Sequence, residues 1–118
     1  MEALFNDPQK LGQFEQAMMG FVNKHLDPIG RTITEIIDLS SGVNFVLLCA
    51  SLGNFHPPAY TYILKPITPA DHRMNMEYVF ELLKELKVST RNCDIGDIIK
   101  GDKKATLKLL YSIFKTFK

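Results

Sequence analysis

The segment of residues 41–52 constrains the fold of this chain more than any other. Eight of its twelve residues are apolar, and in a helix they would cover every face. A helix that is apolar all round belongs inside a domain. A buried strand is the competing interpretation, but the length of the run and its flanking residues favour a helix, with Ser40 or Ser41 as the cap and Gly53 as the stop. The sequence therefore predicts a helix at the centre of the domain.

An amphipathic helix is predicted before this segment. Asn6 or Asp7 can cap it, Pro8 suits its first turn, and it should end near Leu26 because Pro28 disfavours helix at the preceding residue. Its apolar positions recur with helical spacing: Leu11, Phe14, Ala17, Met18, Phe21, Val22 and Leu26.

Two further helices are predicted after the central segment of residues 41–52. One is capped by Thr68 and runs from Pro69 to about Lys87, and the last is capped by Asp102 and covers residues 103–117. Shorter pieces connect the helices: residues 29–41 as a short helix or an extended segment, residues 54–68 as an ordered loop, and Ile95, Ile98 and Ile99 as one turn. The inward side chains should be Met76, Val79, Phe80, Leu83 and Leu86, then Leu107, Leu110, Ile113, Phe114 and Phe117.

Composition excludes several classes of function. The chain of 118 residues has the length of one domain, and its net charge of +1 argues against non-specific nucleic-acid binding. Residues 1–83 carry a net −4 and residues 84–118 a net +5, so an acidic ligand is possible, although a solvated helix face is the commoner explanation. Cys49 and Cys93 show no disulfide pattern, which favours the cytoplasm. No signal peptide and no stretch of about 20 apolar residues is present, so we expect no membrane insertion.

The inventory of reactive groups argues against an enzyme. The sequence contains no GxSxG, no phosphate-binding glycine loop and no HExxH. His25, His56 and His72 are scattered, and none has metal-ligand spacing from a cysteine or from another histidine. We therefore predict no catalytic residue, no metal and no cofactor.

Two stretches resemble the signature segments of calponin homology domains. Residues 38–48 (DLSSGVNFVLL) are similar to the central helix of that family, with Ser41 where most members have an acidic residue. Residues 97–111 (DIIKGDKKATLKLLY) are similar to its closing pattern of paired isoleucine or valine, Gly-Asn/Asp, a lysine and Leu-x-x-Leu. The resemblance implies an all-α calponin homology fold, a compact bundle of four main helices with short connecting helices, over one domain of residues 1–118.

Within that family the chain most resembles the C-terminal domain of parvins. Residues 21–26 (FVNKHL) are similar to the end of its first helix, and residues 106–115 (TLKLLYSIFK) are similar to its last helix. Residues 1–7 resemble the linker segment before the first helix. Parvins are adhesion adaptors, so the resemblance implies a non-catalytic module at cell-matrix adhesions or the cytoskeleton. It would dock the acidic, leucine-rich LD helix of paxillin-type proteins between its first and last helices. The implied partner-helix site is Leu4, Lys10, Phe14, Ala17, Met18, Tyr111, Phe114, Lys115 and Lys118.

Two other partners follow from the same resemblance. Many calponin homology domains bind F-actin, and the basic C-terminal third would suit the acidic surface of a filament. Parvins also bind the integrin-linked pseudokinase, but in an ungapped comparison they place a large apolar side chain where this chain has His56, which argues against that partner.

Overall fold

The first helix, α1, covers Pro8–Leu26 in the computed structural model, which describes residues 5–58 and 61–117. Its N-cap is Asp7, whose carboxylate accepts hydrogen bonds from the backbone N–H groups of Gln9 and Lys10 at 3.1 and 3.2 Å. Pro8 opens the helix because the N–H that it lacks would have had no helical partner. The predicted start and end of this helix are confirmed.

The second helix, α2, covers Val43–Gly53, but its caps differ from the predicted ones. Gly42 is the N-cap and Asn54 the C-cap, with left-handed φ angles of 85° and 55°, so Gly53 is still helical. The reason for Gly42 is tertiary. A Cβ atom at that position would lie 2.5 Å from Cβ of Asn75, so only glycine allows the two segments to approach so closely.

The structure confirms that α2 is buried on most of its sides. Phe45, Val46 and Leu48 are 0% exposed, and Cys49 is equally buried. One stripe differs: Asn44 and Leu47 are only half-buried, and Ser51 is exposed. The expectation that this helix is covered on every face is therefore wrong along that stripe, where it reaches the surface.

Three helices complete the fold: α3 at Pro69–Glu85, α4 at Ile95–Ile99 and α5 at Lys103–Phe117. The predicted cap of α3 is confirmed, because the Thr68 hydroxyl accepts from the backbone N–H of Asp71 while the Asp71 carboxylate accepts from that of Thr68. The cap of α5 is confirmed as well, with the Asp102 carboxylate 3.0 Å from the backbone nitrogen of Lys104. Helix α3 ends two residues before the predicted Lys87, whose φ of 63° is left-handed.

The helices enclose one core. Helix α2 packs against α1 and α3, whereas α5 packs against α1, α4 and the short 3-10 turn Ile36–Leu39. The Cα radius of gyration, 13.4 Å, is close to the ~13.5 Å of a compact chain of this length. The all-α prediction is confirmed, and among the described residues there is no strand. Four side chains predicted to point inward are half-buried at the edge of the core: Phe80, Leu86, Phe114 and Phe117.

Two asparagine side chains hold the connecting segments against the helices. The Asn75 side chain, 0% exposed, accepts from the backbone N–H of Ile63 at 2.6 Å and donates to the carbonyls of Ile63 and Ser41 at 2.9 and 3.0 Å. The Asn23 side chain exchanges two hydrogen bonds with the backbone of Ile33 at 2.8 and 3.0 Å. Because buried amides must be paired, these contacts fix where both loops cross the helices.

Candidate helix-docking surface

Aromatic side chains join α1 to α5. The rings of Phe14 and Tyr111 lie 5.5 Å apart between centroids at an angle of 67°, and those of Phe21 and Phe114 lie 5.4 Å apart at 85°. Both pairs are edge-to-face, a geometry in which the interaction between the rings adds to the free energy gained by burying their surface. All four side chains are half-buried, so each presents part of its ring to solvent.

The spacing along each helix explains how these rings meet. Phe14 and Phe21 are seven residues apart, which places them two turns apart on one side of α1. Tyr111 and Phe114 are three residues apart, which places them on one side of α5. The two ring pairs therefore lie along one line of contact between α1 and α5.

Cationic side chains border the rings. The Lys115 ammonium lies 5.0 Å from the centroid of the Tyr111 ring, within cation–π distance. Lys10 is exposed in the first turn of α1, and Ala17 is exposed two turns further along. We call this surface the α1–α5 face and define it by six residues: Lys10, Phe14, Ala17, Tyr111, Phe114 and Lys115.

Three of the residues predicted for the site are left out of this definition, for two different reasons. Met18 is 2% exposed and belongs to the core, because the side of α1 that carries it turns toward the interior. A partner could touch Met18 only if the core opened, so we remove it from the site. Leu4 and Lys118 lie outside the described residues, and their part in the site stays a prediction.

Phe5 and Phe21 adjoin the α1–α5 face, although neither was among the predicted site residues. Phe21 continues the Phe14 side of α1, so its helical spacing from Phe14 was an available signal. The Phe5 ring lies 5.2 Å from the Lys104 ammonium, which adds a second aromatic–cation contact where the chain enters α1. The Lys103 ammonium forms an ion pair with the Glu15 carboxylate at 3.2 Å, which links the start of α5 to the second turn of α1.

The two histidines of the α1–α2 edge lie on a different surface. The centroids of the His25 and Phe21 rings lie 5.3 Å apart, and Nδ1 of His25 lies 2.9 Å from the Ser51 hydroxyl oxygen. Burial lowers the pKa of His25, and the neighbouring Lys24 charge lowers it further. His25 and the exposed His56 line one depression of the surface, together with Ile29 and Phe55.

Nothing in the described residues suggests metal chemistry or membrane insertion. No group of three or more His, Cys, Asp or Glu residues in that part of the chain is placed to hold a metal ion. In the same part, none of the helices is both long and apolar enough to cross a bilayer. Burial raises the pKa of the Cys49 thiol to about 12, so it is not an accessible nucleophile. The absence of enzymatic activity stays a prediction.

Comparison with known proteins identifies the class. The family model of the calponin homology (CH) domain matches residues 13–118. The chain therefore belongs to the calponin homology family.

The proteins to which this chain is similar include two human parvins. Human beta-parvin is 30% identical over 112 residues, which cover 94% of this chain and 31% of beta-parvin. Human gamma-parvin is 31% identical over 108 residues, covering 91% of this chain and 33% of gamma-parvin. The Caenorhabditis elegans protein called paralyzed arrest at two-fold protein 6 is 29% identical over 112 residues, 94% of this chain and 30% of that protein. The chain spans about a third of the length of these curated relatives.

Proposed function

We propose that this chain is a non-catalytic interaction module of an adhesion or cytoskeletal adaptor, and that its α1–α5 face docks an amphipathic acidic helix of the LD type. The supporting observation is the half-buried Phe14–Tyr111 pair with a lysine ammonium stacked on it. Residues 1–118 would form one domain, with residues 1–7 as a segment leading into α1. The parvin relatives support placement at the cytoskeleton or at cell-matrix adhesions.

The chemistry of the α1–α5 face suits such a helix on both counts. The partly exposed rings offer apolar contact area for leucines that recur along one side of a partner helix. Lys10 and Lys115 are exposed beside the rings, so carboxylates alongside the leucines would meet positive charge. A short peptide must order on binding, so we expect an affinity between micromolar and sub-millimolar.

A titration with charge-reversal variants tests this proposal. A synthetic LD-type peptide is titrated by calorimetry into the parent chain and into the Lys10→Glu/Lys115→Glu double variant. Because two attractive rim contacts become repulsive, we expect affinity to fall by about three- to tenfold at low salt and by less at 0.5 M salt.

The matched control is Lys65→Glu/Lys84→Glu, which reverses two exposed lysines that lie on neither α1 nor α5. This variant should bind the peptide like the parent. Equal affinity of both double variants, each shown folded by circular dichroism, would place the peptide elsewhere.

F-actin binding is the second candidate function, favoured by the net charge of +5 on residues 84–118. The acidic surface of a filament would be attracted to this charge without contacting the aromatic rings. Co-sedimentation separates the two functions. If Phe14→Ala loses the peptide but the chain still pellets with filaments, the two partners use different surfaces.

The integrin-linked pseudokinase is a weaker candidate, because the exposed His56 stands where parvins place a large apolar side chain. Restoring an apolar residue tests the point: His56→Phe should bind the pseudokinase more tightly than the parent does.

A further inference from the structure

A serine in the loop between α3 and α4 stands between two cationic residues. Lys87 lies two residues before Ser89, and Arg91 lies two residues after it. Of all the serines and threonines in the chain, only Ser89 and Thr106 have a lysine or arginine at both of these positions. Basic-directed protein kinases select their acceptor hydroxyls by such flanking charges, so both residues are candidate acceptors in sequence.

The structure separates these two candidates. Thr106 is 1% exposed in α5, and its hydroxyl donates to the Asp102 carbonyl at 3.0 Å. A kinase could reach that hydroxyl only if α5 opened. Ser89 is exposed in the loop that follows α3. The same pattern of charge is therefore inaccessible at Thr106 and accessible at Ser89.

The contacts that hold the loop do not depend on a hydrogen bond donated by the Ser89 hydroxyl. This hydroxyl accepts from the backbone N–H of Arg91 at 3.3 Å, and it donates to no acceptor in the part of the chain that the structure describes. The bond between the loop and α5 uses the Ser89 carbonyl, which accepts from the Ser112 hydroxyl. Val88 is 5% exposed and anchors the loop in the core. A group added to the Ser89 oxygen would therefore leave these anchoring contacts in place.

Ser89 is linked to the α1–α5 face by a recess that the two surfaces share. The recess measures about 350 Å³, and Ser89, Tyr111 and Lys115 all line it. Tyr111 and Lys115 also belong to the α1–α5 face, where the Lys115 ammonium lies 5.0 Å from the centroid of the Tyr111 ring. A negative charge added at Ser89 would therefore lie close to a cation that the proposed docking uses.

We propose that Ser89 is the acceptor of a basic-directed serine/threonine kinase, and that its phosphorylation weakens docking of the acidic helix. In the transfer, the Ser89 oxygen forms a bond to the γ-phosphorus of ATP while the bond to the β–γ bridging oxygen breaks and ADP leaves. The hydroxyl proton passes to the catalytic aspartate of the kinase. The effect on docking rests on the proposed function, whereas the acceptor site does not.

The expected effect on docking follows from charge. A phosphate monoester carries nearly two negative charges at neutral pH. It would attract the Lys115 ammonium away from the partner and would repel carboxylates on the partner helix. Both contributions oppose the binding of an acidic helix across the α1–α5 face.

Phosphate transfer to the folded chain tests the acceptor site. The chain is incubated with ATP and the catalytic domain of protein kinase C, and the modified residue is located by mass spectrometry. One phosphate should appear on Ser89 and none on Thr106. Ser89→Ala should abolish the transfer, and Arg91→Gln should slow it by about three- to tenfold, the effect of losing one charged contact. The control Arg73→Gln, at an exposed position of α3, should leave the rate unchanged.

A synthetic peptide of residues 84–94 shows whether the folded loop is accessible. The kinase should phosphorylate this peptide and the folded chain at the same serine. Transfer to the peptide alone, to neither of them, or to another residue of the folded chain would overturn the inference.

Calorimetry with an LD-type peptide then tests the effect on docking. The phosphorylated chain, shown folded by circular dichroism, should bind about three- to tenfold more weakly than the unmodified chain at low salt, and the difference should shrink at 0.5 M salt. In Lys115→Gln the phosphate should make a smaller difference, because the shared cation is absent. Equal affinities before and after phosphorylation would overturn the effect on docking. Failure of the unmodified chain to bind would overturn the proposed function and this effect together, while the acceptor site is decided by the mass spectrometry alone.

Discussion

The contact between α2 and α3 and the face between α1 and α5 are both rich in large apolar side chains, yet the chain buries them to different degrees. Phe45 and Leu48 of α2 and Met76 of α3 are 0% exposed. Phe14 and Tyr111 stay half-buried although their rings touch. Because burial of apolar area is the main favourable term in folding, the first region should set the stability of the chain. The second has contact area left for a partner.

The two regions also differ in their polar groups. The α2–α3 contact contains one amide, Asn75, and every bond that it makes is to the chain itself. The α1–α5 face is bordered by Lys10 and Lys115, which are exposed. One region is closed by internal pairing, whereas the other combines apolar rings with charge available to a ligand.

The largest effect on stability should come from shortening a side chain of α2 that points into the core. Leu48→Ala should lower the free energy of unfolding by about 2–5 kcal/mol, because it leaves a cavity at a fully buried site. Leu47→Ala, one residue away on the half-buried stripe, should cost about 1–2 kcal/mol. Denaturant unfolding of both variants measures the difference. Equal losses below about 1 kcal/mol would mean that α2 is not central.

Loss of the buried amide should have the next largest effect. Asn75→Ala should lower the free energy of unfolding by about 1–3 kcal/mol, because the Ile63 and Ser41 backbone groups lose their partner. Hydrogen exchange should rise at the Ile63 amide. Asn6→Ala, at an exposed position before α1, is the control and should leave that amide protected.

A substitution on the α1–α5 face should affect peptide binding more than it affects stability. Phe14→Ala should cost about 1–2 kcal/mol of stability, since the ring is only half-buried, but should weaken an LD-type peptide about tenfold. Phe80→Ala removes a half-buried ring from α3 and should affect stability without affecting the peptide. If both variants weaken the peptide equally, the comparison between the two regions fails.

The smallest effect concerns the α1–α2 edge. Because burial and the Lys24 charge lower the pKa of His25, the folded chain binds that proton more weakly than the unfolded chain. The free energy of unfolding should therefore fall slightly as pH drops through about 6.5, the unfolded pKa, toward the folded one. His25→Gln should remove this component between pH 8 and pH 5.5, and an unchanged profile would contradict the assignment.

Features that the sequence predicted well are the ones set by near neighbours. The caps at Asp7, Thr68 and Asp102 bond to backbone groups two or three residues away, and prolines at the first helical position act on their own turn. The bounds of α1 and α5 follow from these signals. The family resemblance added the order of the helices, which periodicity alone does not give.

Features that the sequence did not predict depend on distant contacts. Gly42 replaces Ser40 or Ser41 as the cap because Asn75 of α3 packs against it. Met18 is buried although its neighbour Ala17 is exposed, since one residue rotates a helical side chain by about 100°. Helical spacing could place Phe14 and Tyr111 each on one side of a helix, but not show that their rings meet.

Residue-resolved NMR during titration with an LD-type peptide tests the docking surface most directly. Amide shifts should concentrate in residues 10–21 of α1 and 107–117 of α5, and should saturate at micromolar to sub-millimolar peptide. The amides of residues 43–53 and 69–85 should stay near their free positions. Shifts centred on α2 and α3, or on the surface around His25 and His56, would contradict docking across the α1–α5 face.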